Sequence, residues 1–93
     1  MPEARARHIL VADEEACEKL KTQIEGGDDF GELAAKHSKC PSGQQGGDLG
    51  LFSKGQMVKE FDDVVFSGEV GKVHGPVQTQ FGYHLIEITS RND

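Results

Sequence analysis

Ninety-three residues suffice for one domain, expected over 1–93, with one modest core and a thin stability margin. At 35% hydrophobic and 28% charged the chain has enough apolar mass to fold, and no apolar run approaches the roughly 20 residues of a membrane-spanning helix. A net charge of −6 argues against a general nucleic-acid binder, which needs clustered Lys and Arg, and against anchoring on acidic lipid.

In chain order, "RARHILVA" (5–12) alternates around the β-formers Ile9 and Val11 and predicts a strand. "MPEARARHIL" before it shows no secretory h-region, so cytoplasmic residence is expected. Asp13 is placed to cap a helix whose first turn holds Glu14 and Glu15, where the helix dipole favours acids. Ala16, Cys17, Leu20 and Ile24 recur at helical spacing, and Gly26-Gly27 ends the run. "DFGELAAKHS" (29–38) has a capping-box pattern in Asp29 and Glu32, with Phe30, Leu33, Ala34 and His37 on one face of a second, short helix. A glycine-rich loop follows within "SKCPSGQQGGDLGLF" (38–52), then a short strand near 49–52. "QMVKEFDDVVFSG" (56–68) sets Met57, Phe61, Val64 and Val65 at helical intervals, which predicts a third helix with Met57 and Phe61 on one face. "GKVHGPVQT" (71–79) reads as a strand interrupted by Gly75-Pro76, "QFG" as a turn, and "YHLIEITS" (83–90) as a closing strand with His84, Ile86 and Ile88 on one side. The order is that of an α+β domain with a small sheet and packed helices.

The glycine-rich loop lacks the G-K-[ST] of a phosphate cradle and does not open a helix, so no nucleotide site is expected. Cys40 has no neighbouring Cys, and His8, His37, His74 and His84 show no ligand spacing, so no metal is expected either. Cys17 and Cys40 are expected as free thiols in a reducing compartment; a disulfide between them stays open, because sequence gives no distance. His8 and His84 sit on the first and last strands among core-type residues, where adjacent strands would let the two rings satisfy each other. Phe81 lies in a turn, where a large apolar side chain needs a cover.

Taken together, "RHILV", "FGELAAKHSKCPSG", "GGDLGLFSKGQMVKEFDDVVF" and "GPVQTQFGYHLI" resemble the parvulin peptidyl-prolyl isomerases, over about 5–90 and in the family's order. The likeness is strongest to the small single-domain form. It implies a four-stranded antiparallel sheet surrounded by four helices, so a further short helix is expected near 40–46. It places His8 and His84 as the paired histidines, Cys40 at the position of the family's active-site Cys or Asp, and Thr79 in the histidine network. Leu49, Met57 and Phe61 form the proline pocket by the same likeness, and Phe81 walls it. Asp48 and Gln56 border the site without an assigned role.

The implied reaction is rotation about an X-Pro amide, without cofactor or metal. The implied partners are proline-containing peptides and unfolded or nascent chains, and a monomer is expected. Phosphate-directed parvulins carry basic residues after the first strand, whereas this segment is "VADEEACEKL", so no phosphate requirement is expected. The loop glycines are expected to let a substrate backbone approach. Two rival readings are a non-catalytic, chaperone-like peptide-binding module and a thiol or zinc protein built on His8, Cys40 and His84.

Overall fold

Two strands carry the clearest apolar alternation in the chain, and they form the centre of the sheet. These are β1 (Glu3–Val11) and β4 (Gly82–Asn92), paired antiparallel through His8↔Ile86 and Leu10↔His84. The outer strands are β2 (Asp48–Ser53), on β1, and β3 (Val73–Thr79), on β4, which gives the order β2-β1-β4-β3. The computed structural model describes residues 2–92.

Both faces of the sheet are covered, so both sets of alternating residues on the central strands are buried. Ile9, Val11 and Leu85 pack against helix α1 (Glu14–Glu25), through Cys17 and Leu20, and against helix α2 (Phe30–His37), through Phe30 and Ala34. Ala4, Ala6 and Ile86 pack on the opposite face against Phe52 of β2 and against Phe61 and Val65 of helix α3 (Lys59–Ser67). The small Ala4 and Ala6 leave room for these rings. Arg7 also faces α2, where its guanidinium pairs with Glu87 and lies 4.9 Å over the Phe30 ring.

The expected fourth helix is a 3₁₀ turn, Pro41–Gln45, with Pro41 at its start and Gly46 at φ +71° after its end. Asp29 caps α2 by accepting the Glu32 N–H at 2.9 Å. Asp13 occupies the N-cap position of α1, but its side chain makes no capping bond. The third helix starts later than its periodicity predicts. Val58 is the N-cap of α3, so Met57 belongs to the preceding connection and not to the helix face of Phe61. β3 runs through Gly75-Pro76, whose peptide is cis, with an irregularity in pairing between His74 and Val77.

The glycine-rich loop is ordered by the protein's own backbone. Gly47 packs so closely on β1 that a Cβ would lie 2.4 Å from the His8 carbonyl oxygen, and a Cβ on Gly43 would lie 2.6 Å from that of Ala34. These two glycines therefore admit the chain's own strands and helix, which corrects the expectation that they make room for a substrate.

Candidate active site

Beyond the bulge at Arg7, the β2 side of β1 is completed by the loop and not by a strand. The His8 N–H donates to the Gly47 carbonyl at 3.0 Å, and the Lys39 N–H donates to the Leu10 carbonyl at 2.7 Å. Ser38 Oγ accepts from the N–H groups of both Leu10 (3.0 Å) and Cys40 (3.3 Å). Cys40 is thus stapled beside the strand that carries His8. On the other side of β1, the register with β4 sets His8 and His84 diagonally across one face.

The two imidazoles meet there through their Nδ1 atoms at 3.0 Å. Their planes differ by 15° and their centroids are 5.2 Å apart, so the rings lie side by side in nearly one plane with the bond in that plane. Phe61 stands roughly perpendicular to both, at 5.6 and 5.8 Å between centroids. Each outer nitrogen also has a partner: His8 Nε2 meets Ser42 Oγ at 3.2 Å, and His84 Nε2 meets Thr79 Oγ1 at 2.8 Å.

The chain of contacts has a direction. Ser42 Oγ–H donates to Cys40 Sγ at 3.3 Å. With the Ser42 proton directed to Cys40, the tautomers assigned by the network have His8 donate Nε2–H to Ser42 and accept at Nδ1 from His84 Nδ1–H. His84 Nε2 in turn accepts the Thr79 hydroxyl proton, and Thr79 Oγ1 accepts from the Phe81 N–H at 3.2 Å. Both rings are neutral in this arrangement. Their surroundings enforce it: burial, then the neighbouring His84, pushes His8 down to about 4, and burial lowers His84 as well.

Above the pair lies a cavity of about 390 Å³. Its floor and walls are His8, His84, Cys40, Leu49, Met57, Phe61 and Phe81, so these seven sequence-predicted site residues meet in one place. Thr79 stands behind His84, outside the lining. Leu10, Lys39, Pro41 and Val58 complete the cavity. Phe81 is 61% exposed at the mouth, while Phe61 is buried at the base.

Ser42 was not singled out from the sequence. A loop serine is an ordinary residue, and its partner His8 is 34 positions away. Leu10 carried a signal, since strand alternation places it on the same face as His8. His37 and His74 lie elsewhere, His74 Nε2 meeting the Glu69 carbonyl at 3.0 Å. Among the described residues no three His, Cys, Asp or Glu side chains are grouped to hold a metal. Cys17 and Cys40 are both free, with Cys17 buried among the residues that pack on α1 and α2.

The model of the PPIC-type PPIase domain matches residues 2–92. A foldase protein PrsA of Geobacillus sp. is 47% identical over 93 residues, covering 99% of this chain but 34% of that protein. The chain therefore spans about a third of the length of the curated relatives it matches. The crystal structure of the peptidylprolyl isomerase PrsA from Bacillus anthracis superposes with a TM-score of 0.95 at 40% identity, over 99% of this chain and 43% of that one. The solution structure of NmPin, the parvulin of Nitrosopumilus maritimus, superposes with a TM-score of 0.87 at 35% identity, over 97% of this chain and 98% of that one. With a family model matched almost end to end and a small parvulin covered nearly whole, the chain belongs to the PPIC-type, or parvulin, family of peptidyl-prolyl isomerase domains.

Proposed function

We propose that this domain catalyses cis/trans isomerisation of X-Pro bonds in unphosphorylated peptide and protein segments, without a covalent intermediate. The observation that carries the reading is the cavity itself, a slot lined by Leu49, Met57, Val58, Phe61 and Phe81 directly above a neutral histidine pair. An exposed Phe81 at its mouth is the cover that a proline ring would complete.

The X-Pro amide resists rotation with a barrier near 18–20 kcal/mol, held up by its resonance. At the top of the barrier the amide is twisted, its resonance is lost and its dipole is reduced. An apolar slot favours that less polar species over the planar amide, while Met57, Phe61 and Phe81 hold the ring and the preceding carbonyl turns. A turnover of about 100 per second corresponds to a roughly 10⁴-fold gain, about 5.5 kcal/mol, within reach of binding alone. The histidine pair acts as scaffold. It stays uncharged, keeps the slot apolar and fixes Ser42, which donates to Cys40 and leaves the thiol's own S–H for the substrate carbonyl. Covalent attack by Cys40 is no part of this scheme, because Asp occupies the position elsewhere in the family.

Lys39 is the one basic side chain lining the cavity besides the neutral histidines, and Asp13, Glu14 and Glu15 follow β1. A phosphate-directed site needs a cationic cluster there. A matched pair of peptides, Ser-Pro and phospho-Ser-Pro, tests this point. The unphosphorylated peptide is expected to be isomerised at least as fast; acceleration confined to the phosphopeptide would overturn the specificity.

A further inference from the structure

The connection between β2 and α3 carries Met57 and Val58, two walls of the cavity, yet its residues 54–56 are exposed. Something must hold this segment against the helix that carries Phe61. The strand end is closed by Ser53 and Gln56: the Ser53 N–H donates to Gln56 Oε1 at 2.6 Å, and the Gln56 N–H donates to the Ser53 carbonyl at 3.2 Å. The helix end is closed by Asp62. This carboxylate is 8% exposed, one residue after Phe61, and its Oδ1 accepts the Gly55 N–H at 2.9 Å. Gly55 stands at φ +95°, a conformation that a side-chain-bearing residue rarely adopts, so the turn presents its amide to the helix and not to water.

A carboxylate is almost never buried without a purpose-built partner, and this one closes on a turn whose other backbone ties, beyond the Ser53–Gln56 closure, are the Lys54 N–H to the Pro2 carbonyl at 3.2 Å and the Asp62 N–H to the Val58 carbonyl at 2.9 Å. We infer that Asp62 is a positioning residue, whose bond to the Gly55 amide sets the spacing between the Met57–Val58 wall and the Phe61 base of the cavity. The inference rests on the reading of that cavity as a proline-binding site. A bond between a charged acceptor and a backbone N–H is among the stronger single hydrogen bonds, so it can hold a short glycine turn. Asp62 itself is not among the cavity-lining residues, and a role in substrate contact is not part of the inference.

The test compares Asp62→Ala and Asp62→Asn. The alanine variant is expected to raise KM for an X-Pro peptide about fivefold with kcat within twofold, whereas asparagine, which keeps an acceptor oxygen, restores most of the affinity. In the wild type, the Gly55 amide is expected to exchange its hydrogen at least tenfold more slowly than in a free peptide. Unchanged KM in the alanine variant overturns the inference. So does a free-peptide exchange rate at Gly55, a measurement that stands even if the alanine variant does not fold. Should the wild type bind the peptide without isomerising it, the isomerase reading fails by itself, and the same comparison of Kd values decides the role of Asp62.

Discussion

Phe81 and Phe61 are both phenylalanines at the cavity, but the protein has invested in them differently. Phe61 is buried against both histidines and Phe52, so its removal would unsettle the core along with the site. Truncating a buried Phe costs about 3–5 kcal/mol, which makes it a poor probe of chemistry. Phe81 stands in the turn before β4 and is mostly exposed, so Phe81→Ala separates binding from folding. That variant is expected to raise KM about three- to tenfold while the melting temperature moves by no more than about 4 °C, since surface truncations stay within about 0.5 kcal/mol. Steady-state kinetics beside a thermal melt checks it. The paired histidines, Cys40 and the Met57, Phe61 and Phe81 lining were legible because the family motifs carry them as whole strings. Ser42 was not, because a serine's worth depends on what lies 3 Å away and not on its neighbours in sequence. Val58 and the true start of α3 escaped for a related reason. No Ser, Thr, Asp or Asn marks residues 55–58, and the spacing of Met57 and Phe61 fits a helix whether or not the backbone between them is helical.

At the scale of the elements, the loop between α2 and β2 takes over the work of a strand along the upper half of β1. Its glycines are the reason it can lie there. Gly47 combines a φ of +83° with a contact on the His8 carbonyl that no Cβ can share. Gly47→Ala is expected to cost about 2 kcal/mol or more, a fall of about 8 °C or more in melting temperature for a domain of this size. It should also disturb the imidazole resonances of His8, because the strained contact is with that residue's own backbone. A thermal melt and the histidine region of a proton spectrum measure both. That the loop needs unusual backbone angles was legible in its glycine content; what the glycines pack against was not, since His8 and Ala34 lie in other elements. A four-stranded antiparallel sheet surrounded by helices came with the family likeness, whereas the order β2-β1-β4-β3 is set by long-range pairing that no local pattern carries.

For the molecule as a whole, two buried neutral histidines at its centre tie stability to pH. His8 has an ordinary value of 6.5 and is pushed down to about 4 in the fold. Above about pH 6.5 it is neutral in both states and contributes no pH dependence. Between about 6.5 and 4 the unfolded chain takes up a proton that the folded chain refuses, so stability falls as pH falls, by on the order of 3 kcal/mol for this residue. His84 is lowered by burial too and acts in the same direction. Denaturant unfolding from pH 7.5 down to 4 is expected to show this loss, and replacing His8 should flatten the slope. Protonation would also leave two donors facing each other across the 3.0 Å contact, so activity is expected to decline over the acid part of the same range. An uncharged, apolar slot that lowers the barrier to X-Pro rotation is the central claim. Its most direct test is the cis-to-trans relaxation of a short unphosphorylated X-Pro peptide with catalytic amounts of the wild-type protein at neutral pH. Relaxation accelerated in proportion to protein concentration, and blocked by a competing proline peptide, is the predicted result. Tight peptide binding with relaxation no faster than the uncatalysed rate would contradict the account and leave a holding module in place of an isomerase.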